Sequence, residues 1–86
     1  MRLVAEFTTE PFSGEADPPA HATKALAVAR AAGLECDFGP LGTSVSGDRV
    51  DVLGALSDIV DVALAHGASR ITLQVQPGAP EGESRA

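Results

Sequence analysis

The sequence predicts one α+β domain with elements in the order β-α-β-β-α-β, and three observations carry that prediction. Several short stretches alternate apolar and polar residues with the period of a half-buried strand. Two longer stretches repeat apolar residues at helical spacing, and each ends at a glycine, Gly33 and Gly67. At 86 residues the chain has room for a single core.

Each element follows from its residues. Leu3 to Glu10 alternates, with Leu3, Ala5 and Phe7 on one side and Val4, Glu6, Thr8 and Glu10 on the other; Pro11 ends this strand. A loop through Ser13-Gly14-Glu15 leads to Asp17, expected to cap a helix that carries Pro18 and Pro19 in its first turn and runs to about Ala32. Its apolar stripe is Ala22, Ala25, Leu26 and Ala29. Leu34, Cys36 and Phe38 alternate with Glu35, Asp37 and Gly39 in a second strand. Gly39-Pro40-Leu41-Gly42 reads as a turn, and Thr43 to Gly47 as a third, short strand.

Asp48 is a plausible N-cap for the second helix, which extends to about His66. Val52, Leu53, Leu56, Ile59, Val60, Ala63 and Leu64 give it a wide apolar face, opposite a narrow stripe of Asp51, Asp58, Asp61 and Ala65. Ile71, Leu73 and Val75 alternate with Thr72, Gln74 and Gln76 in a fourth strand. Residues 1–76 are therefore read as the domain and residues 77–86, without periodicity, as a disordered tail.

Two successive strand-helix-strand halves most simply give a four-stranded antiparallel sheet with both helices on one face, the ferredoxin-like sandwich. The apolar strand residues then face the helices. The opposite face carries Glu6, Thr8, Glu10, Glu35, Asp37, Ser44, Ser46, Thr72, Gln74 and Gln76, free for solvent, another subunit or a ligand.

Composition narrows the function. A formal charge of −6 with six Lys and Arg disfavours nucleic acid and anionic membranes, and suits a cationic or neutral ligand. No apolar run approaches the roughly 20 residues that span a bilayer, and the first residues do not form a signal-peptide core. The lone Cys36 makes no internal disulfide, zinc site or iron–sulfur cluster and is read as a small buried hydrophobe, so the expected compartment is the cytoplasm.

No catalytic set emerges either. His21 and His66 stand at opposite ends of different helices; His21 is expected to be exposed in a first turn, and His66 to sit where its charge suits the macrodipole. Glu6 and Glu10 share a strand face but lie roughly 13 Å apart, too far for a glycosidase pair. The loop after the first strand holds Glu15 and Asp17 and no Lys or Arg, which excludes a phosphate cradle. The densest polar cluster is Gly42-Thr43-Ser44-Val45-Ser46-Gly47-Asp48, whose hydroxyls donate and accept hydrogen bonds. On the residues alone it is equally a hairpin edge or a ligand contact.

Three segments, Val4-Ala5-Glu6-Phe7-Thr8-Thr9-Glu10-Pro11, Gly39-Pro40-Leu41-Gly42-Thr43-Ser44-Val45-Ser46-Gly47-Asp48 and Gly67-Ala68-Ser69-Arg70-Ile71, resemble in order and spacing a family of small thiamine-binding proteins of bacteria and archaea. The resemblance covers roughly residues 3 to 76. It implies a ferredoxin-like protomer that forms homodimers and homotetramers through its sheets and binds thiamine or hydroxymethylpyrimidine without catalysis. By motif it places Thr8, Glu10 and Phe12 at the end of the first strand, and Gly42, Thr43 and Ser44 in the hairpin, at the ligand. Phe12 and Leu41 then contact its rings, and Glu10 stands near the thiazolium charge. It implies no cofactor and no metal, only the vitamin or its pyrimidine half as ligand, with a carrier, buffer or sensor role. The competing reading is a structural module that docks or oligomerises through the open polar face and holds no small ligand.

Overall fold

The alternation at the start of the chain becomes a strand, β1 (Arg2–Glu10), in which Leu3, Ala5, Phe7 and Thr9 are buried while Glu6 and Glu10 are exposed. In the computed structural model, which describes residues 1–11, 18–39 and 42–78, it is followed by α1 (Ala20–Ala31), β2 (Glu35–Gly39), β3 (Gly42–Asp48), α2 (Arg49–Ala65) and β4 (Arg70–Pro77). The strands form one sheet in the order β2-β3-β1-β4, and every neighbouring pair is antiparallel. This is the ferredoxin-like α+β arrangement expected from the sequence.

The core lies between sheet and helices. Leu3, Ala5, Phe7 and Val45 from the strands meet Ala25 and Ala29 of α1 and Val52, Ala55, Leu56 and Ile59 of α2, with Leu34 closing the end. Alanines at the α1 contact let the helix sit close, so little aromatic bulk is needed; among the described residues Phe7 is the one aromatic residue of that core. Asp48 caps α2 as expected, its carboxylate accepting from the Val50 N–H at 3.3 Å. Both helices end where Gly33 (φ 80°) and Gly67 (φ 104°) take a left-handed backbone that side chains resist.

Three expectations are corrected. The first helix starts after both prolines: Pro19 is the N-cap, among the described residues no side chain caps it, and the Ala22 and Thr23 N–H groups share its carbonyl at 3.0 and 3.1 Å. Pro18 precedes a proline and is thereby steered to extended backbone, which delays the first turn; Asp17, the expected cap, lies outside the described residues.

His21, expected at the surface, is buried (4% exposed). It stands one turn before Ala25, on the stripe that faces the sheet. Third, Leu53 and Leu64 of α2 and Leu73 and Val75 of β4 have the orientation read from the sequence but are 39–54% exposed. The helices lie over β1, β2 and β3, with α2 on β1 and β3, and leave the flank above β4 uncovered.

At the end of β4, Pro77 is still paired with Leu3 and the Gly78 N–H donates to the Arg2 carbonyl at 2.9 Å, so the expected tail boundary at 77 falls within the ladder. The rest of that tail, residues 79–86, lies outside the described residues.

Candidate functional site

Two helices cover one face of the sheet, and the other face is polar by alternation. Register aligns its side chains into rows. Glu6 of β1 stands opposite Ser44 of β3 on one side and Gln74 of β4 on the other, and Ser44 stands opposite Asp37 of β2. The row Asp37, Ser44, Glu6, Gln74 therefore crosses all four strands. One step toward the end of β1, Thr8 pairs with Thr72, while Gly39 and Gly42 pair beyond it and present no side chains.

The missing side chains leave a hollow. A cavity of about 470 Å³ opens there, lined by Glu6, Thr8, Asp37, Ser44, Thr72 and Gln74, by Gly39 and Gly42, and from beneath by Phe7 and Thr43, which belong to the buried parity. Its volume is within the roughly 300–1,000 Å³ of small-molecule sites. Gly42 is required at its place: a Cβ there would stand 3.0 Å from Thr8 Cγ2 and 3.1 Å from the Phe7 carbonyl oxygen.

Electrostatically the cavity has one sign. Glu6 and Asp37 line it, two strands apart and so roughly 10 Å from each other, and among the described residues no Lys, Arg or His lines it with them. Hydroxyls from Thr8, Ser44 and Thr72 and the amide of Gln74 complete the polar lining. The arrangement suits a ligand with a positive charge or amino donors on one part and hydrogen-bond acceptors on another. Among the described residues no group of three His, Cys, Asp or Glu is placed to hold a metal ion.

Of the site residues expected from sequence, Thr8, Gly42, Thr43 and Ser44 come together at this cavity. Glu10 stands two residues further along β1, where its carboxylate approaches the Arg70 guanidinium at 3.8 Å. Phe12 and Leu41 lie outside the described residues. Asp37, Thr72 and Gln74 were legible as open-face residues but not as site residues, because only the strand order brings β2 and β4 to flank the same hollow. Ser46 lies one row away, donating to Glu35 at 3.2 Å, while Glu35 also meets Arg2 at 3.6 Å.

Behind the site, β1 is tied to α1 by a buried polar contact. The His21 Nε2–H donates to the Pro11 carbonyl at 2.9 Å, and Nδ1 shares a hydrogen bond of 2.7 Å with the Thr9 hydroxyl. This fixes the corner where the chain leaves β1. His66, by contrast, is exposed, and its Nδ1 bonds the Val62 carbonyl at 2.9 Å at the end of α2. Cys36 is partly buried against the core; burial pushes its thiol up from the ordinary value, against a smaller opposing pull from Arg30.

Comparison with known proteins bears on this geometry. A family model described as thiamine-binding protein matches residues 5–83. No curated protein matches the chain. Among solved structures, a domain of unknown function from Bacillus cereus superposes with a TM-score of 0.67 at 15% identity, over 99% of this chain and 82% of that one. A hypothetical protein from Methanocaldococcus jannascii gives 0.68 at 20% identity, over 99% and 87%. A "putative thiamine biosynthesis/salvage protein" from Thermotoga maritima gives 0.67 at 15% identity, over 99% and 90%. At these identities the likeness is one of fold.

Proposed function

Because the chain belongs to the thiamine-binding protein family, we propose that its open-face cavity binds thiamine or the hydroxymethylpyrimidine half of thiamine, without catalysing a reaction on it. The observation that carries this reading is the pairing of Glu6 and Asp37 with a ring of hydroxyls around a glycine-floored hollow. An aminopyrimidine offers an amine donor to a carboxylate and ring nitrogens to the Thr8, Ser44 and Thr72 hydroxyls. The thiazolium of the intact vitamin adds a positive charge that an acidic site attracts. The role that follows is a cytoplasmic carrier, buffer or sensor in vitamin supply, in a protein that self-associates.

Calorimetric titration of the protein with thiamine and with hydroxymethylpyrimidine tests the reading. Saturable binding of either, lost in Thr8→Val and in Gly42→Val, is the expected result. Absence of heat for both ligands at millimolar concentration overturns it and leaves the open face as a docking surface for protein.

A further inference from the structure

The solvent side of the helices carries a groove that neither the core nor the cavity uses. It has a volume of about 650 Å³, and among the described residues its lining comes from α2 and the C-terminal end of α1, with nothing from the sheet. It therefore lies across the molecule from the open polar face. Its floor is small: Ala31 and Ala32 at the end of α1, Gly54 and Ala55 of α2. Val28, Val50 and Val62 stand along it, and Val50 is 67% exposed. Asp51, Asp58 and Asp61 complete it, and among the described residues no Lys, Arg or His does.

Several of these residues work against α2 itself. Glycine is a poor residue inside a helix, used where a positive φ or a close neighbour demands it. Gly54 meets neither demand: it stands inside α2 without a positive φ, and a Cβ there would find nothing within 4 Å. Asp58 and Asp61 lie toward the C-terminal, negative end of the helix, where the macrodipole favours a cation. Among the described residues the ion pairs join Met1 with Asp48, Arg2 with Glu35 and Arg70 with Glu10, and none reaches these aspartates. Departures from local preference that gather on one surface, with no compensating contact inside the fold, mark a surface shaped by something outside it.

Shape and charge together describe the occupant. A floor of alanine and glycine lets the backbone of another helix come close, since side-chain size sets the distance between packed helices. From Asp51 to Asp61 α2 rises about 15 Å, nearly three turns of a helix laid alongside. The valines suit an apolar stripe on that helix, and the aspartates suit Lys or Arg beside the stripe. A second copy of this face would bring its own aspartates against these, and like charges across an interface repel. Residues 79–86 fit no better, because they hold no Val, Ile, Leu or aromatic residue and add Glu81 and Glu83.

We propose that the groove docks a basic amphipathic helix of another protein. The partner helix lies between α1 and α2 with its apolar stripe over Gly54 and Ala31 and its cations on Asp51, Asp58 and Asp61. Groove and cavity are on opposite sides of the molecule, so both can be occupied at once.

Fluorescence anisotropy with the full chain at physiological ionic strength tests this. The probe is a labelled helical peptide with Leu and Ala on one face and Lys at i, i+7 and i+10, the spacing of the three aspartates. Saturable binding is expected, and none for the same peptide with Glu in place of Lys. Gly54→Leu fills the groove without changing its charge, so it should weaken binding at least about tenfold while the thermal midpoint holds or rises, leucine being the better helix former. Asp58→Lys with Asp61→Lys, both at exposed positions, should weaken binding by at least as much through charge alone. Failure of the Lys peptide to bind, or unchanged binding in either folded variant, overturns the proposal.

Discussion

The two faces of the sheet come from the same strands and alternate residues, yet they divide the work of the protein. On the helix side, Leu3, Ala5, Phe7 and Val45 are buried against alanine and aliphatic contacts. On the open side, their neighbours Glu6, Thr8 and Ser44 meet Asp37, Thr72 and Gln74 around a cavity. The core and the polar cavity lining are thus interleaved at single-residue spacing. A change on the inner face acts on stability, and on the proposed function a change on the outer face acts on ligand binding.

The largest test of that separation is Phe7→Ala. Phe7 is 3% exposed in the core, so truncation should cost about 3–5 kcal/mol through lost burial and a residual cavity. In denaturant titration the midpoint should fall sharply with little change in slope. Near-wild-type stability would mean that the inner face is not the core.

Next comes His21→Leu, which leaves the buried Thr9 hydroxyl without its partner and the Pro11 carbonyl without a donor. An orphaned buried group costs about 1–3 kcal/mol. His21→Leu with Thr9→Val removes both ends of the first bond and should recover part of that loss, which a double-mutant cycle in thermal unfolding measures. Smaller again is Asp48→Ala. Its cap to Val50 is exposed, so about 1 kcal/mol is expected, with α2 fraying first by amide exchange.

How much of this was legible follows from the range of the interactions. Local signals worked: alternation marks β1 and β4, Asp48 marks the start of α2, and Gly33 and Gly67 mark the helix ends. Thr8, Gly42, Thr43 and Ser44 were named through the family resemblance, and they meet at the cavity because the β1–β3 pairing joins their two short segments. What escaped depends on long-range geometry. His21 lies four residues before Ala25, a spacing that flags burial, but its Thr9 partner comes from another element. Asp37, Thr72 and Gln74 enter the cavity only through strand order. The exposure of Leu53, Leu64, Leu73 and Val75 depends on where the helices stop covering the sheet, which periodicity does not encode.

The proposed ligand thiamine carries a positive charge and Glu6 an opposing one on the outer face, so Glu6→Gln tests the proposed function most directly. Glu6 is exposed, so the substitution should leave stability within about 0.5 kcal/mol. Titrations of wild type and variant with thiamine and with uncharged hydroxymethylpyrimidine then separate the two contributions. Loss of one carboxylate facing a cation is worth about 1 kcal/mol on a water-accessible face, so thiamine should bind roughly five- to tenfold more weakly, and the pyrimidine less than about threefold more weakly. Equal thiamine affinity in the two proteins would contradict the account.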